Sequence, residues 1–337
     1  MTTIKNIADR LGVSVGTVSK GLNGAKDISE SLRQKIIDTA IEMDYTIKRT
    51  QNEDYRKLAI FIEALEYEAK DDFAYDIVLG FKQNAIAHKW SVDIIRVTPD
   101  FQSKIRYDTY MLKSGYTGSF IIGFSLTDAW IKQLETTKVP TVMFDTYIRK
   151  NPKVCYIGVD NYEGINLAVD HLIGLGHEKI ALISDTGLSA VSGERFEAFQ
   201  NSMSHHGLEL ADGMIAKDYI YNDPVDNYVS DFLKKGATAI MCGNDMIAAN
   251  VILTCIKSGY NVPKDISVVG FDDIPIASSL SPSITTISQS RRSVGKCGYV
   301  VLDSIINNFA IAKTLMRPQL IVRESTAGVN TLERIRI

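Results

Sequence analysis

What this chain has little of narrows it first. Its four cysteines, Cys155, Cys242, Cys255 and Cys297, stand far apart with no CxxC spacing. They lie in apolar surroundings such as Ala239-Ile240-Met241-Cys242, which argues for buried thiols and against a disulfide framework or a zinc site. The adjacent pair His205-His206 points to different sides of a helix and cannot easily share an ion, and His177, just before a strand, reads as a structural group. No glycine-rich phosphate loop, nucleophile elbow or Cys/His metal spacing is present, and the neighbours Asp272 and Asp273 cannot face one substrate together. Catalytic residues, a metal and a cofactor are therefore not expected. No apolar run approaches bilayer length and no basic-then-apolar leader opens the chain, so a cytoplasmic protein without a membrane partner is expected.

What is present is an ordinary globular composition: 337 residues, 45% hydrophobic and 23% charged, with a net charge of −3. The length suits two or three domains. Residues 1–57 hold ten cations and eight anions, about +2, so the rest carries about −5, the asymmetry that nucleic-acid binding requires. Ile4, Ile7, Ala8 and Leu11 repeat at helical spacing between a Thr3 cap and a Gly12 stop. A second short helix after Ser14 turns Val18 and Leu22 inward and leaves Val15, Gly16, Thr17, Ser19 and Lys20 outside. The glycine-containing turn between them makes a helix-turn-helix, with a third helix capped by Ser29 and carrying Leu32, Ile36, Ile37, Ala40, Ile41 and Met43. The outer face is small enough to approach base edges in a major groove, and Lys20 can reach a base acceptor or a phosphate.

The runs Thr3-Ile4-Lys5-Asn6-Ile7-Ala8, Gly12-Val13-Ser14, Thr17-Val18-Ser19-Lys20, Leu22-Asn23-Gly24 and Asp44-Tyr45 resemble the headpiece of the lactose/galactose repressor (LacI/GalR) family. The resemblance implies that Val15 and Gly16 sit over base edges, that Thr17, Ser19 and Asn23 hold phosphates, and that Lys20 stands where many relatives carry Arg. It also implies a hinge helix that wedges a leucine into the minor groove. Residues 46–57 depart from that pattern: Ile47 replaces the family's proline, no leucine falls in the segment, and Glu53 and Asp54 repel a phosphate backbone.

From Leu58 onward, apolar runs of four to six residues alternate with amphipathic helices, the signature of βαβ units and parallel sheets covered on both faces. About 280 residues exceed one comfortable core, so two similar lobes are expected. Asp160-Asn161, Leu175-Gly176-His177, Arg195, Asn244-Asp245, the run Val262–Asp273 and Pro282–Ile287 resemble the periplasmic-binding-protein-like core of the same repressors. The expected fold is thus a small all-α headpiece (1–45), a linker (46–57), and an α/β two-lobed core of two parallel doubly wound sheets. By resemblance the chain crosses between lobes three times, giving an N-lobe of 58–158 with 288–325, a C-lobe of 159–287 and a tail of 326–337.

Ligands of such sheets lie beyond the carboxyl ends of strands. Asp145, Asn244, Asp245 and Asp272 each follow an apolar run, and Arg195 begins the second turn of a helix. A guanidinium with carboxylates suits the vicinal hydroxyls of a sugar. By resemblance, Arg195, Asn244 and Asp272 clamp an effector and Asp145 faces the cleft between the lobes, with Phe73, Tyr219 or Tyr221 offering rings to stack on a sugar. Acids and Asn at strand ends also cap helices, the alternative role for Asp245 and Asp273. The implied protein is a homodimeric transcriptional regulator, a repressor, that grips a near-palindromic duplex operator under control of a carbohydrate-like effector. The alternative is a cytoplasmic sugar-binding protein without a role in gene control.

Overall fold

Each of the first three helices starts where a side chain can satisfy free backbone N–H groups. A computed structural model describes residues 2–23, 25, 27–43, 45, 56–185, 190–219 and 225–329. In it Thr3 and Asn6 cap helix α1 (Ile4–Leu11) reciprocally, Ser14 caps α2 (Val15–Leu22) at the Thr17 N–H, and Ser29 caps α3 (Glu30–Glu42) at the Leu32 N–H. Gly12 ends α1 in the left-handed conformation, φ +65°. Ile7, Ala8, Val18, Leu22, Ile36, Ala40 and Tyr45 form the small core. A Cβ on Gly21 would lie 2.6 Å from Ile36 Cδ1, so a glycine lets α2 settle this closely on α3.

The remaining chain alternates strands and helices. It runs β1 (Lys57–Ile62), α4 (Tyr75–Ala87), β2 (Ser91–Arg96), α5 (Pro99–Lys104), α6 (Tyr107–Ser114), β3 (Gly118–Ile122), α7 (Ala129–Leu134), β4 (Thr141–Phe144) and β5 (Val154–Val159). Then come α8 (Asn161–Gly174), β6 (Ile180–Asp185), α9 (Ala190–His205), β7 (Ile215–Tyr219), α10 (Asp226–Lys234), β8 (Ala239–Cys242), α11 (Asp245–Lys257), β9 (Ser267–Asp272), α12 (Pro275–Ser279) and β10 (Thr285–Ser288). Helix α13 (Arg291–Ile306) and strands β11 (Lys313–Met316) and β12 (Gln319–Ile321) complete the described elements.

The chain divides into two compact units, Met1–Ile157 with Arg291–Thr314, and Gly158–Ser290 with Leu315–Ile337. Each holds one six-stranded sheet, in the orders β11-β5-β4-β3-β1-β2 and β12-β10-β9-β8-β6-β7. Strands β1 to β5 pair in parallel, as do β6 to β10, and both sheets share one winding, second strand at the edge and then first, third, fourth and fifth. In the first unit Phe61, Tyr107, Met111 and Trp130 fill one face. On the other, α4 and α13 meet so closely that a Cβ on Gly295 would lie 1.9 Å from the Ile77 carbonyl oxygen. In the second unit Phe199 and Phe271 pack one face, and Phe232, Ile240 and Ile252 the other. Among the described residues no helix is long and apolar enough to cross a membrane.

Three expectations change. The amphipathic pattern over Ser103–Lys113, which by itself predicts one helix, is divided between two, because Ile105 turns extended and its carbonyl accepts the Trp130 indole N–H at 2.9 Å. The tail strand, assigned above with 288–325 to the first lobe, belongs to the second: β12 pairs antiparallel with β10, and Ser325 bonds Val268 and Thr285. Strands β5, β7, β10 and β11 escaped the sequence reading. The hinge reading falls almost wholly on residues 46–55, which lie outside the described residues.

Candidate nucleic-acid interface and ligand site

The outward face of α2 carries little bulk. Val15 is 50% exposed, Gly16 and Lys20 are exposed, and a Cβ on Gly16 would meet only Ser14 Oγ, at 3.6 Å. Thr17 and Ser19 are half-buried; the Thr17 hydroxyl lies 2.9 Å from that of Ser14, while Asn23 Nδ2 donates to the Ser19 carbonyl at 2.9 Å. Lys20 Nζ makes a short charged hydrogen bond to Asp27 Oδ2 in the segment that leads to α3. That segment is braced: Arg33, on α3, donates to the Ala25 carbonyl and to Glu30 Oε2, each at 2.6 Å. A capped helix with a flat, apolar first turn and an ammonium one turn on is the shape that enters a major groove.

In the second unit the strand ends converge on one guanidinium. Arg195, 9% exposed on α9, donates to Asn161 Oδ1 at 2.9 Å, to the Gly243 carbonyl at 2.7 Å and to Asp272 Oδ1 at 3.3 Å. Its guanidinium carbon lies 3.6 Å from the Phe271 ring centroid. Gln289 Nε2 donates to the same Asp272 oxygen at 2.5 Å. Asp272 and Asp273 both take positive φ, +105° and +51°, a strained exit from β9 that Arg323 holds by donating to Asp273 Oδ1 at 2.6 Å. Beneath them Asp245 is fully buried and accepts from the Thr286 hydroxyl at 2.5 Å and the Ile274 N–H at 2.9 Å. Burial, with the Asp272 charge second, pushes its carboxyl up to about 7.

The first unit has a strand-end set of its own. The Phe73 ring centroid lies 6.2 Å from that of Phe144, with the Arg291 guanidinium 5.9 Å from Phe73. Asp145 leaves β4 at φ +58°. Glu63, just past β1, is buried, accepts a hydrogen bond from Gln102 and is raised to about 7 by burial and by neighbouring Asp128.

Comparison with known proteins meets this geometry at both ends. Residues 3–47 match the family model described as bacterial regulatory proteins, lacI family, and residues 169–326 match a periplasmic binding protein-like domain. The chain is 26% identical over 336 residues to the NTD biosynthesis operon regulator NtdR of Bacillus subtilis, covering 97% of this chain and all of that one. It is 25% identical to the ribose operon repressor of Halalkalibacterium halodurans, covering 97% and 98% of the two chains. The chain belongs to the lacI family of bacterial regulatory proteins. Among solved structures, the transcriptional regulator CelR in its cellobiose complex aligns with a TM-score of 0.69 at 22% identity, over 96% of this chain and 100% of the other. The lac repressor dimer bound to operator and the anti-inducer ONPF aligns with a TM-score of 0.65 at 23% identity, over 97% and 99%.

As a lacI-family member the protein is a DNA-binding transcriptional regulator. Its fold brings Arg195 and Asp272 into direct contact and sets Val15, Gly16 and Lys20 on one exposed helical face. Asn244 is placed one residue after the Gly243 that Arg195 contacts, and its Oδ1 caps α11 at the Ile247 N–H, 2.9 Å away. Tyr219 closes β7 and its side chain, like the whole of Tyr221, lies outside the described residues. Asn161, Phe271, Gln289, Glu63 and Arg291 were not read as site residues. Glu63 follows the apolar run Leu58–Ile62, so the strand-end rule that picked Asp145 would have picked it too. Phe271 and Gln289 carry no such mark; Phe271 lies under Arg195, and the pairing of β9 with β10 brings Gln289 to Asp272.

Proposed function

We propose that this lacI-family regulator is a homodimeric repressor acting in the cytoplasm, reading a near-palindromic operator with two copies of α2. A small effector held at the Arg195 cluster sets its DNA affinity. The observation that carries the reading is the capped α2 with Val15, Gly16 and Lys20 uncovered. Two such helices related by a two-fold axis match half-sites one helical turn apart. Val15 and Gly16 face base edges, Thr17, Ser19 and Asn23 reach phosphates, and Lys20 contacts a base.

For the effector, Arg195 held flat by Asn161, Gly243 and Phe271 supplies directed donors, and Asp272 supplies acceptors, the complement of vicinal hydroxyls on a sugar or sugar derivative. Asn244, Tyr219 and Tyr221 complete the proposed contacts in this unit. Binding, not turnover, is the role of these groups.

Operator selection from random duplex, followed by effector titration with and without that duplex, tests the reading. Coupling of this kind changes each affinity by roughly 5- to 150-fold, and reciprocally. Effector affinity unchanged by bound operator, or ligand recovered chemically altered, contradicts it.

A further inference from the structure

Lys20 and Asp27 form an ion pair that stability does not explain. Their side chains are 57% and 58% exposed, and exposed pairs of this kind contribute little, because water already solvates both charges and holding two side chains costs rotamer freedom. A carboxylate beside a DNA-binding face also repels phosphate. The pair is nonetheless built. Arg33, only 17% exposed on α3, ties down the segment before the helix by donating to the Ala25 carbonyl, and Asp27 of that segment lies across from Lys20, seven residues away.

We propose that Asp27 is a specificity-determining residue, and that the Lys20–Asp27 pair together reads one G·C base pair of the operator. The inference rests on the DNA-binding reading above. Lysine alone is a compact point charge on a flexible stem, equally content on a guanine or on any phosphate oxygen. Fixed beside a carboxylate, it presents a donor and an acceptor side by side. In the major groove a G·C pair displays two adjacent acceptors, guanine N7 and O6, followed by the cytosine N4 donor. The ammonium faces the first two and the carboxylate the third. An A·T pair places the adenine N6 donor between its acceptors, opposite the ammonium, and sets the thymine O4 acceptor, which repels a carboxylate, where cytosine N4 would lie, with the methyl group beyond it. Asp27 also discourages Lys20 from the phosphates, since any excursion toward the backbone separates the pair.

The test uses the full-length protein, duplex selected by the wild type, and that duplex with each base pair substituted in turn. Asp27→Asn, Asp27→Glu, Lys20→Ala and the double variant Lys20→Ala/Asp27→Ala are compared. At one symmetric position in each half-site the wild type prefers G·C by about tenfold or more, and Asp27→Asn reduces that preference to about threefold or less. The same variant binds bulk competitor DNA more tightly, and its salt slope steepens by about 0.9 per Lys20 released to a phosphate. Asp27→Glu recovers part of the preference, which a merely structural residue on the segment would not require. In the Lys20→Ala background, removing Asp27 has no further effect on that position. Asp27→Asn with unchanged base preference overturns the proposal, as does tighter binding by an equal factor on every duplex, which would make Asp27 a plain electrostatic brake. If the wild type selects no sequence at all, the DNA-binding reading itself falls; selection by the wild type with an indifferent Asp27→Asn removes this inference alone.

Discussion

Replacing Asp245 with asparagine should make the second lobe less sensitive to pH, and more stable in mild alkali. Asp245 is fully buried, and burial raises its carboxyl from 3.8 to about 7, with the Asp272 charge adding to the effect. In the unfolded chain the same group ionises near its ordinary value. A folded-state pKa above the unfolded one means the native state binds the proton more tightly, so stability is greatest below about pH 4 and is lost as pH rises toward about 7. Each pKa unit corresponds to about 1.4 kcal/mol, so between about pH 5 and about pH 8 this one group costs the wild type about 3 kcal/mol. Asparagine keeps the shape and the bonding: its Oδ1 can accept the Ile274 N–H, and its Nδ2 can donate to the Thr286 hydroxyl oxygen, which now held by Asp245 as donor would turn to accept. It has no proton to lose. The variant should gain about 2–4 kcal/mol over wild type at about pH 8 and much less at about pH 5. Both tryptophans, Trp90 and Trp130, lie in the first lobe, so their fluorescence reports the wrong unit. Amide hydrogen exchange across β8 and β9 is the direct measure, with tryptophan fluorescence as a control that should not move. Parallel pH profiles for wild type and Asp245→Asn would show that the buried carboxyl is not titrating as argued; equal destabilisation at both pH values would show that shape, not charge, governs the site.

Three further outcomes follow from contacts on other elements. Gly295→Ala drives a Cβ to within 1.9 Å of the Ile77 carbonyl, a backbone atom that cannot swing away, so urea unfolding read by tryptophan fluorescence should show a loss of about 3 kcal/mol or more. Ser14→Ala deletes the cap on the Thr17 N–H, held at 3.0 Å, and should cost about 1 kcal/mol of headpiece stability together with operator affinity, measured by thermal melting and duplex titration. Arg195→Lys keeps the charge but cannot span Asn161, Gly243 and Asp272 at once. A calorimetric titration with the best ligand from a panel of neutral and anionic sugars should show affinity reduced by about tenfold or more, while operator binding without ligand is retained.

Local chemistry was enough to read much of this molecule before its coordinates. Thr3, Ser14 and Ser29 are helix caps because a short hydroxyl can reach a free N–H two or three residues on, and that geometry needs no distant partner. The helical spacing of Ile4, Ile7, Ala8 and Leu11, and the apolar runs that became β1, β3, β4, β6, β8 and β9, follow from periodicity alone. Asp272 was legible because it directly follows such a run, and Arg195 because the family resemblance marks it. Tertiary structure decided what depends on residues far apart in sequence. The break at Ile105 exists because Trp130 reaches its carbonyl, and the tail joins the second sheet because Ser325 finds Val268 and Thr285. Gln289 meets Asp272 beside the Phe271–Arg195 contact, and Asp245 loses its solvent, only once β9 and β10 lie side by side. A sequence states which groups can cap, pair or be buried within a few residues of themselves; which long-range acceptor a donor meets, and how far water is excluded there, is fixed only when the sheets assemble.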